Sequence, residues 1–250
     1  MNSDSGPGDE RHEKHDRHEK HDRREQHERH EPGGHGPRVP VLAAAWRELA
    51  GSEPEAVAVG RELLERWSEP HRRYHTVAHL WDTLDAAERL RGEARDPDAV
   101  RYALWFHDAV YEGRAGEDEE ESAALARRLL ALMGAPPPLV AEVSRLVLLT
   151  RTHRPDEGDA DGAVVCDADL AVLAGTPDAY LTYAAAVRAE YGHVPDEAFR
   201  QGRLAVLREL LAVPHLYRTR YGREHWEARA RSNLLAETHR WQSDAPDPPL

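Results

Sequence analysis

From residue 39 onward the chain repeats apolar positions at helical spacing, with Ala, Leu, Arg and Glu dominating. The pattern predicts helices over Val41–Ala50, from Glu53-Pro54 to about Trp67, and from about Thr76 to Leu90. Asp96-Pro97 opens a fourth, with proline in an early helical position, which runs to His107-Asp108. Glu117–Met133 and Leu139 to about Thr152 follow, separated by Gly134 and Pro136–Pro138. Arg154–Gly162 reads as a polar loop, and Ala163–Leu173 as a helix or a buried extended turn. Thr176-Pro177 and Val194-Pro195-Asp196 start two further helices, Pro214–Gly222 reads as irregular, and Arg223–Trp241 closes the fold. There is no alternating strand pattern and no Gly-rich strand-to-helix turn. The expected class is all-α: one helical domain over 39–242 with a flexible end at 243–250.

Residues 1–38 differ. They repeat Arg-His-Glu-Lys-His-Asp and carry no Leu, Ile, Val or aromatic side chain, so they have nothing to bury and are expected to be a disordered tail. His12, His15, His18 and His21 recur there at a three-residue step, which suits loose capture of transition metals or plain solvation.

Charge narrows the partners. The formal net charge is −13, nearly all of it outside the tail, which argues against nucleic-acid binding through a broad basic face. A single cysteine, Cys166, allows no internal disulfide and suits a reducing compartment. With no apolar leader and no apolar run near 20 residues, a cytoplasmic protein without a membrane span is expected.

The chemistry begins where the apolar run Ala103-Leu104-Trp105-Phe106 ends in His107-Asp108. A buried, unpaired carboxylate is costly, and a bound cation removes that cost. His75 and His79 lie four apart and share a face on a helix. The zinc-protease pattern needs Glu after the first His; Thr76 stands there, so that reading fails. Downstream, Asp167 and Asp169 offer carboxylates. Each piece alone fits an ordinary structural role. Together they make a mixed nitrogen and oxygen set suited to Mn, Fe, Co, Ni or Zn, with Mg less favoured by imidazole.

The ordered set resembles the HD superfamily of metal-dependent phosphohydrolases, whose signature is His … His-Asp … Asp on an all-α fold. The resemblance is narrower still to a bacterial subfamily of predicted HD phosphohydrolases. It rests on Glu69–His79, Ala103–Tyr111, Glu119–Ala123, Leu149–His153, Asp167–Leu170, Arg188–Pro195 and Ala230–Leu234. It implies the metal ligands His79, His107, Asp108 and Asp169, with His75 and Asp167 as alternates. Asp169 lacks the Arg that follows it in the family pattern. Asp108, Glu119 and His153 become catalytic candidates, Glu119 by orienting a water or acting as base. Ser122, Arg72, Arg73 and Arg151 become candidates for holding phosphate. Glu119 also fits a solvated acidic helix start, and His153 a helix C-terminal imidazolium.

The implied activity is hydrolysis of a small phosphorylated molecule, a phosphomonoester or nucleotide, through a metal-activated water. A non-catalytic module that binds a nucleotide or a protein is the alternative. A third use of such a site, iron-based oxygen chemistry, needs further His ligands, for which His75 and His153 are candidates.

Overall fold

A computed structural model of the chain describes residues 38–114 and 116–243. The tail with its histidines, and the C-terminal end from 244, lie outside the described residues. Among these residues every regular element is helical and no strand forms, as the hydrophobic pattern predicts.

The helices are α1 (Arg38–Ala50), α2 (Pro54–Trp67), α3 (Val77–Leu90), α4 (Pro97–Phe106), α5 (Glu117–Leu132) and α6 (Pro137–Leu149). Then come α7 (Ala160–Asp169), α8 (Pro177–Glu190), α9 (Asp196–Ala212), α10 (Arg220–His225) and α11 (Glu227–Ser243). Proline near the first position opens α2, α4, α6 and α8, where its missing N–H costs nothing.

Helix α6 begins two residues early, at Pro137, and α11 runs on to Ser243, into the expected flexible end; three other boundaries differ more. Helix α1 begins at Arg38, inside the expected tail. Helix α7 begins at Ala160, inside the expected loop, because the Asp159 side chain accepts from the Gly162 amide and caps it. A Cβ at Gly162 would lie 2.2 Å from Asp159 Oδ2, so glycine here serves the cap. The expected last helix is broken at Trp226 into α10 and α11; Thr219 caps α10 through the Gly222 amide.

Two cores form. The first gathers the apolar faces of α1 to α7 around Trp46, Leu63, Trp67, Leu104, Phe106 and Leu146, all buried. The second joins Leu173, Tyr180, Leu207, Tyr217 and Leu234 from the later elements. Helix α7 gives Val164, Val165 and Ala168 to the first core, and the 3₁₀ turn after it gives Leu173 to the second. Asp169 stands at this hand-over.

Candidate metal centre

The end of α4 explains the position of the doublet. The last carbonyls of a helix have no partner within it. Here Leu104 O accepts from His107 Nδ1 at 2.8 Å, Trp105 O from Trp67 Nε1 at 3.0 Å, and Phe106 O from the Ala109 amide at 3.0 Å. His107 thereby finishes the helix with one ring nitrogen and turns the other outward. Asp108 follows in the turn, so the two side chains reach one point beyond the helix end.

His79 comes to that point from the first turn of α3. Its Nε2 lies 3.2 Å from His107 Nε2, 3.1 Å from Asp169 Oδ1 and 3.7 Å from Asp108 Oδ2. His107 Nε2 is 3.1 Å from Asp108 Oδ2 and 3.5 Å from Asp169 Oδ1. Ligands about 2.1 Å from one cation stand about 3.0 Å apart at a right angle and about 3.4 Å apart in a tetrahedron. Three of the edges, at 3.1–3.2 Å, fall in that range and the other two, at 3.5 and 3.7 Å, lie just beyond it; His79, His107 and Asp169 form a cluster able to hold a metal ion.

The donor chemistry fits as well. A carbonyl only accepts, so His107 Nδ1 carries the hydrogen and Nε2 is the nitrogen that would offer a lone pair to a bound cation. Burial opposes charge on His107, yet Asp108 and Asp169 hold its pKa well above the usual imidazole range. Burial likewise opposes charge on Asp108 and Asp169, yet His107 holds both below the usual carboxylate range. These groups together demand a positive charge at their centre, which a divalent cation supplies.

His153 reaches the cluster through Asp169. Its backbone is in the left-handed region (φ 51°), and its Nε2 lies 2.8 Å from Asp169 Oδ2. Asp169 therefore presents one oxygen to the two imidazoles while His153 engages the other. His75 lies a step further out, with Nε2 3.9 Å from Asp108 Oδ2 and its ring stacked on Tyr111 at 4.0 Å.

A cavity of about 180 Å³ opens beside these groups. His75, Asp108, His153 and Asp169 line it together with Glu119, Tyr111 and Tyr191. Glu119 also reaches back to the Gly116 amide at 2.6 Å, so it closes the start of α5 while facing the cavity. A larger hollow of about 780 Å³ over α2 and α5 is lined by Arg66, Arg114 and Arg128, but these already pair with Glu62, Glu117 and Glu121.

Several expected site residues serve elsewhere. Asp167 lies two residues from Asp169, and on a helix that spacing points the two side chains apart. Its carboxylate accepts from the Arg218 and Thr219 amides and the Thr219 hydroxyl, at 2.7–2.9 Å. Burial lifts its pKa to about 6 against those bonds. Ser122 is buried, and its hydroxyl accepts from the Val110 amide and donates to the Val110 carbonyl, so it ties α5 to the turn after α4.

Arg72 is also buried. It donates to the carbonyls of His75 (3.0 Å), Asp108 (2.7 Å) and Ala109 (3.3 Å), and so bolts the segment before α3 to the turn after α4. Arg73 is exposed and donates to the Pro70 and Arg72 carbonyls. Arg151 is exposed beside Gly116, 3.8 Å from Glu120. Neither lines the cavity.

Sequence reasoning gave no role to Glu190. It ends α8, and its side chain is almost fully buried against the segment carrying His75. A carboxylate in the last turn of a helix opposes the macrodipole, so its position there was a usable signal.

No known protein family, no curated protein and no solved structure matches the chain. Among the described residues no helix is long and apolar enough to cross a membrane.

Proposed function

We propose that the protein is a metal-dependent phosphohydrolase of the HD type, acting on a small phosphorylated molecule. The observation that supports this most is the meeting of His79, His107 and Asp169, from three separate helices, at distances suited to one cation, with Asp108 3.1 Å from His107 and 3.7 Å from His79. A divalent ion held there would be Mn, Fe, Co, Ni or Zn, and would acidify a water and offset phosphoryl charge.

The chain's own residues do the rest. His153 fixes the direction of Asp169. His75 and Glu119 face the cavity from different elements, His75 before α3 and Glu119 on α5, placing polar groups beside a bound ester. In the reaction, a bond forms from water oxygen to phosphorus, the bond to the alcohol oxygen breaks, and the water's proton leaves with the alcohol. The cavity is smaller than the ~300–1,000 Å³ of sites that enclose drug-sized ligands, so it suits a phosphoryl group with a small alcohol. The rest of a nucleotide would project outside.

The test uses the full chain, with its metal content measured against His107→Ala and Asp108→Ala. Tail histidines contribute equally to all three proteins, so the difference reports this site. Hydrolysis of p-nitrophenyl phosphate and a panel of phosphomonoesters and nucleotides is then measured with Mn, Co and Zn. Metal lost in both variants, with turnover only in the wild type, is the expected result. Equal metal in all three proteins overturns the ligand assignment. Bound metal with no turnover, and a nucleotide that raises the melting temperature, points instead to a non-catalytic binding module.

A further inference from the structure

Glu190 makes contacts that helix packing does not require. Its Oε1 accepts three consecutive amides, from Arg73 (2.8 Å), Tyr74 (2.8 Å) and His75 (2.9 Å). Its Oε2 lies 2.7 Å from His75 Nδ1 and accepts from the Tyr111 hydroxyl at 3.1 Å. One carboxylate thus holds the backbone of the segment leading into α3, the ring of His75 and the tyrosine stacked on that ring. The Glu190 side chain is 3% exposed, so little water competes for these bonds.

The consequence is a fixed tautomer. A carboxylate only accepts, so His75 Nδ1 carries the hydrogen and Nε2 of the neutral ring offers a lone pair. Tyr111 stacks on one side and Tyr74 meets the ring edge-on at 4.8 Å, which limits its rotation. Nε2 is then directed to the cavity side, 3.9 Å from Asp108 Oδ2. A histidine that served only packing would not need its Nδ1 held by a buried acid that also fixes its own backbone.

We infer that Glu190 is a positioning residue for the proposed hydrolysis: it holds His75 in the Nδ1–H tautomer so that Nε2 accepts a hydrogen bond from the water that attacks phosphorus. This rests on the phosphohydrolase reading, but the tautomer itself can be read without turnover.

The test compares wild type, Glu190→Gln, His75→Gln and the double variant, all as full chains. Long-range ¹H–¹⁵N spectra of EDTA-treated protein report the His75 tautomer, with His75 assigned as the signals missing from His75→Gln. The expected result is Nδ1–H in wild type and a shift toward Nε2–H in Glu190→Gln, since glutamine can donate to the ring.

On p-nitrophenyl phosphate with Mn, each single variant should lose about 10- to 100-fold in kcat, with KM and bound metal changed by less than about threefold. The double variant should be no slower than His75→Gln, because Glu190 acts through His75. Nε2–H in wild type overturns the inference, as do a Glu190→Gln kcat within about threefold of wild type or losses that multiply in the double variant. If Glu190→Gln does not fold, unchanged kcat in His75→Gln overturns it equally. A wild type that hydrolyses nothing sinks the phosphohydrolase reading, while the tautomer still decides what Glu190 holds.

Discussion

His153 and Asp169 are joined at 2.8 Å through Nε2 and Oδ2, which leaves Asp169 Oδ1 free to face His79 and His107. In the proposed metal site, this pair makes His153 a support for Asp169 rather than a ligand itself. Partners that orient metal ligands typically change metal affinity by about 10- to 100-fold when removed. His153→Asn is the appropriate variant, because asparagine tolerates the positive φ of 51° at this position but cannot reach Asp169. It should weaken Mn or Zn binding by about that factor in a chelator competition, with the melting temperature of metal-free protein nearly unchanged. Equal affinity would show that Asp169 needs no second contact.

Arg72 separates two roles that look alike in sequence. A phosphate-binding arginine would be partly exposed in the cavity, and its loss would raise KM. The observed Arg72 is buried and bridges three carbonyls on two segments. Lysine cannot span them with one planar fork. Arg72→Lys should cost about 2–3 kcal/mol in urea unfolding, from buried carbonyls left without donors. Metal affinity should fall too, since the turn carrying Asp108 loosens. A stable variant with only a raised KM would restore the phosphate role.

These cases mark how far the sequence could be read. The all-α class followed from the 3.6-residue period and from prolines at helix starts, which depend on local chemistry. His79, His107, Asp108 and Asp169 could be proposed because the resemblance orders them; their meeting depends on three helix ends whose relation is set by core packing. The roles of Arg72, Ser122 and Asp167 were hidden for the same reason. Each bonds to backbone, and backbone partners leave no trace in residue identity. Arg72 reaches the Asp108 carbonyl 36 residues away, and Asp167 the Thr219 amide 52 residues away. Glu190 was legible only as an acid in an unfavourable helix position.

Glu190 also makes a prediction for acid stability. Burial alone would raise its pKa, but the hydrogen bond from His75 Nδ1 and the amides of Arg73 and His75 lower it to about 2. A free glutamate titrates near 4.3. A depressed folded-state pKa means stability that is present above the unfolded value and is lost as pH falls toward the folded one. Wild type should therefore lose stability relative to Glu190→Gln between about pH 5 and pH 2. Urea unfolding in EDTA across that range reads the difference. Parallel curves for the two proteins would contradict the assigned charge on Glu190.

The helix that delivers Glu190 is itself held by a buried ion pair. Arg203 on α9 donates to Glu237 on α11 through Nε (2.8 Å) and Nη2 (2.9 Å), and Tyr180 on α8 donates its hydroxyl to the same carboxylate. Arg203 and Glu237 side chains are 8% and 3% exposed. Removing one partner strands the other charge, so Glu237→Gln should cost about 3–5 kcal/mol in urea unfolding. Replacing both by apolar residues of similar size, as in Arg203→Met with Glu237→Leu, removes the stranded charge and should recover most of that loss. The recovery should be incomplete because the Tyr180 hydroxyl loses its acceptor. If α8 is positioned through this network, Glu237→Gln should also shift the His75 ring signals, and the double variant should return them toward wild type. A full stability loss with His75 unmoved would separate the pair from the site and leave it a purely structural tie between α9 and α11.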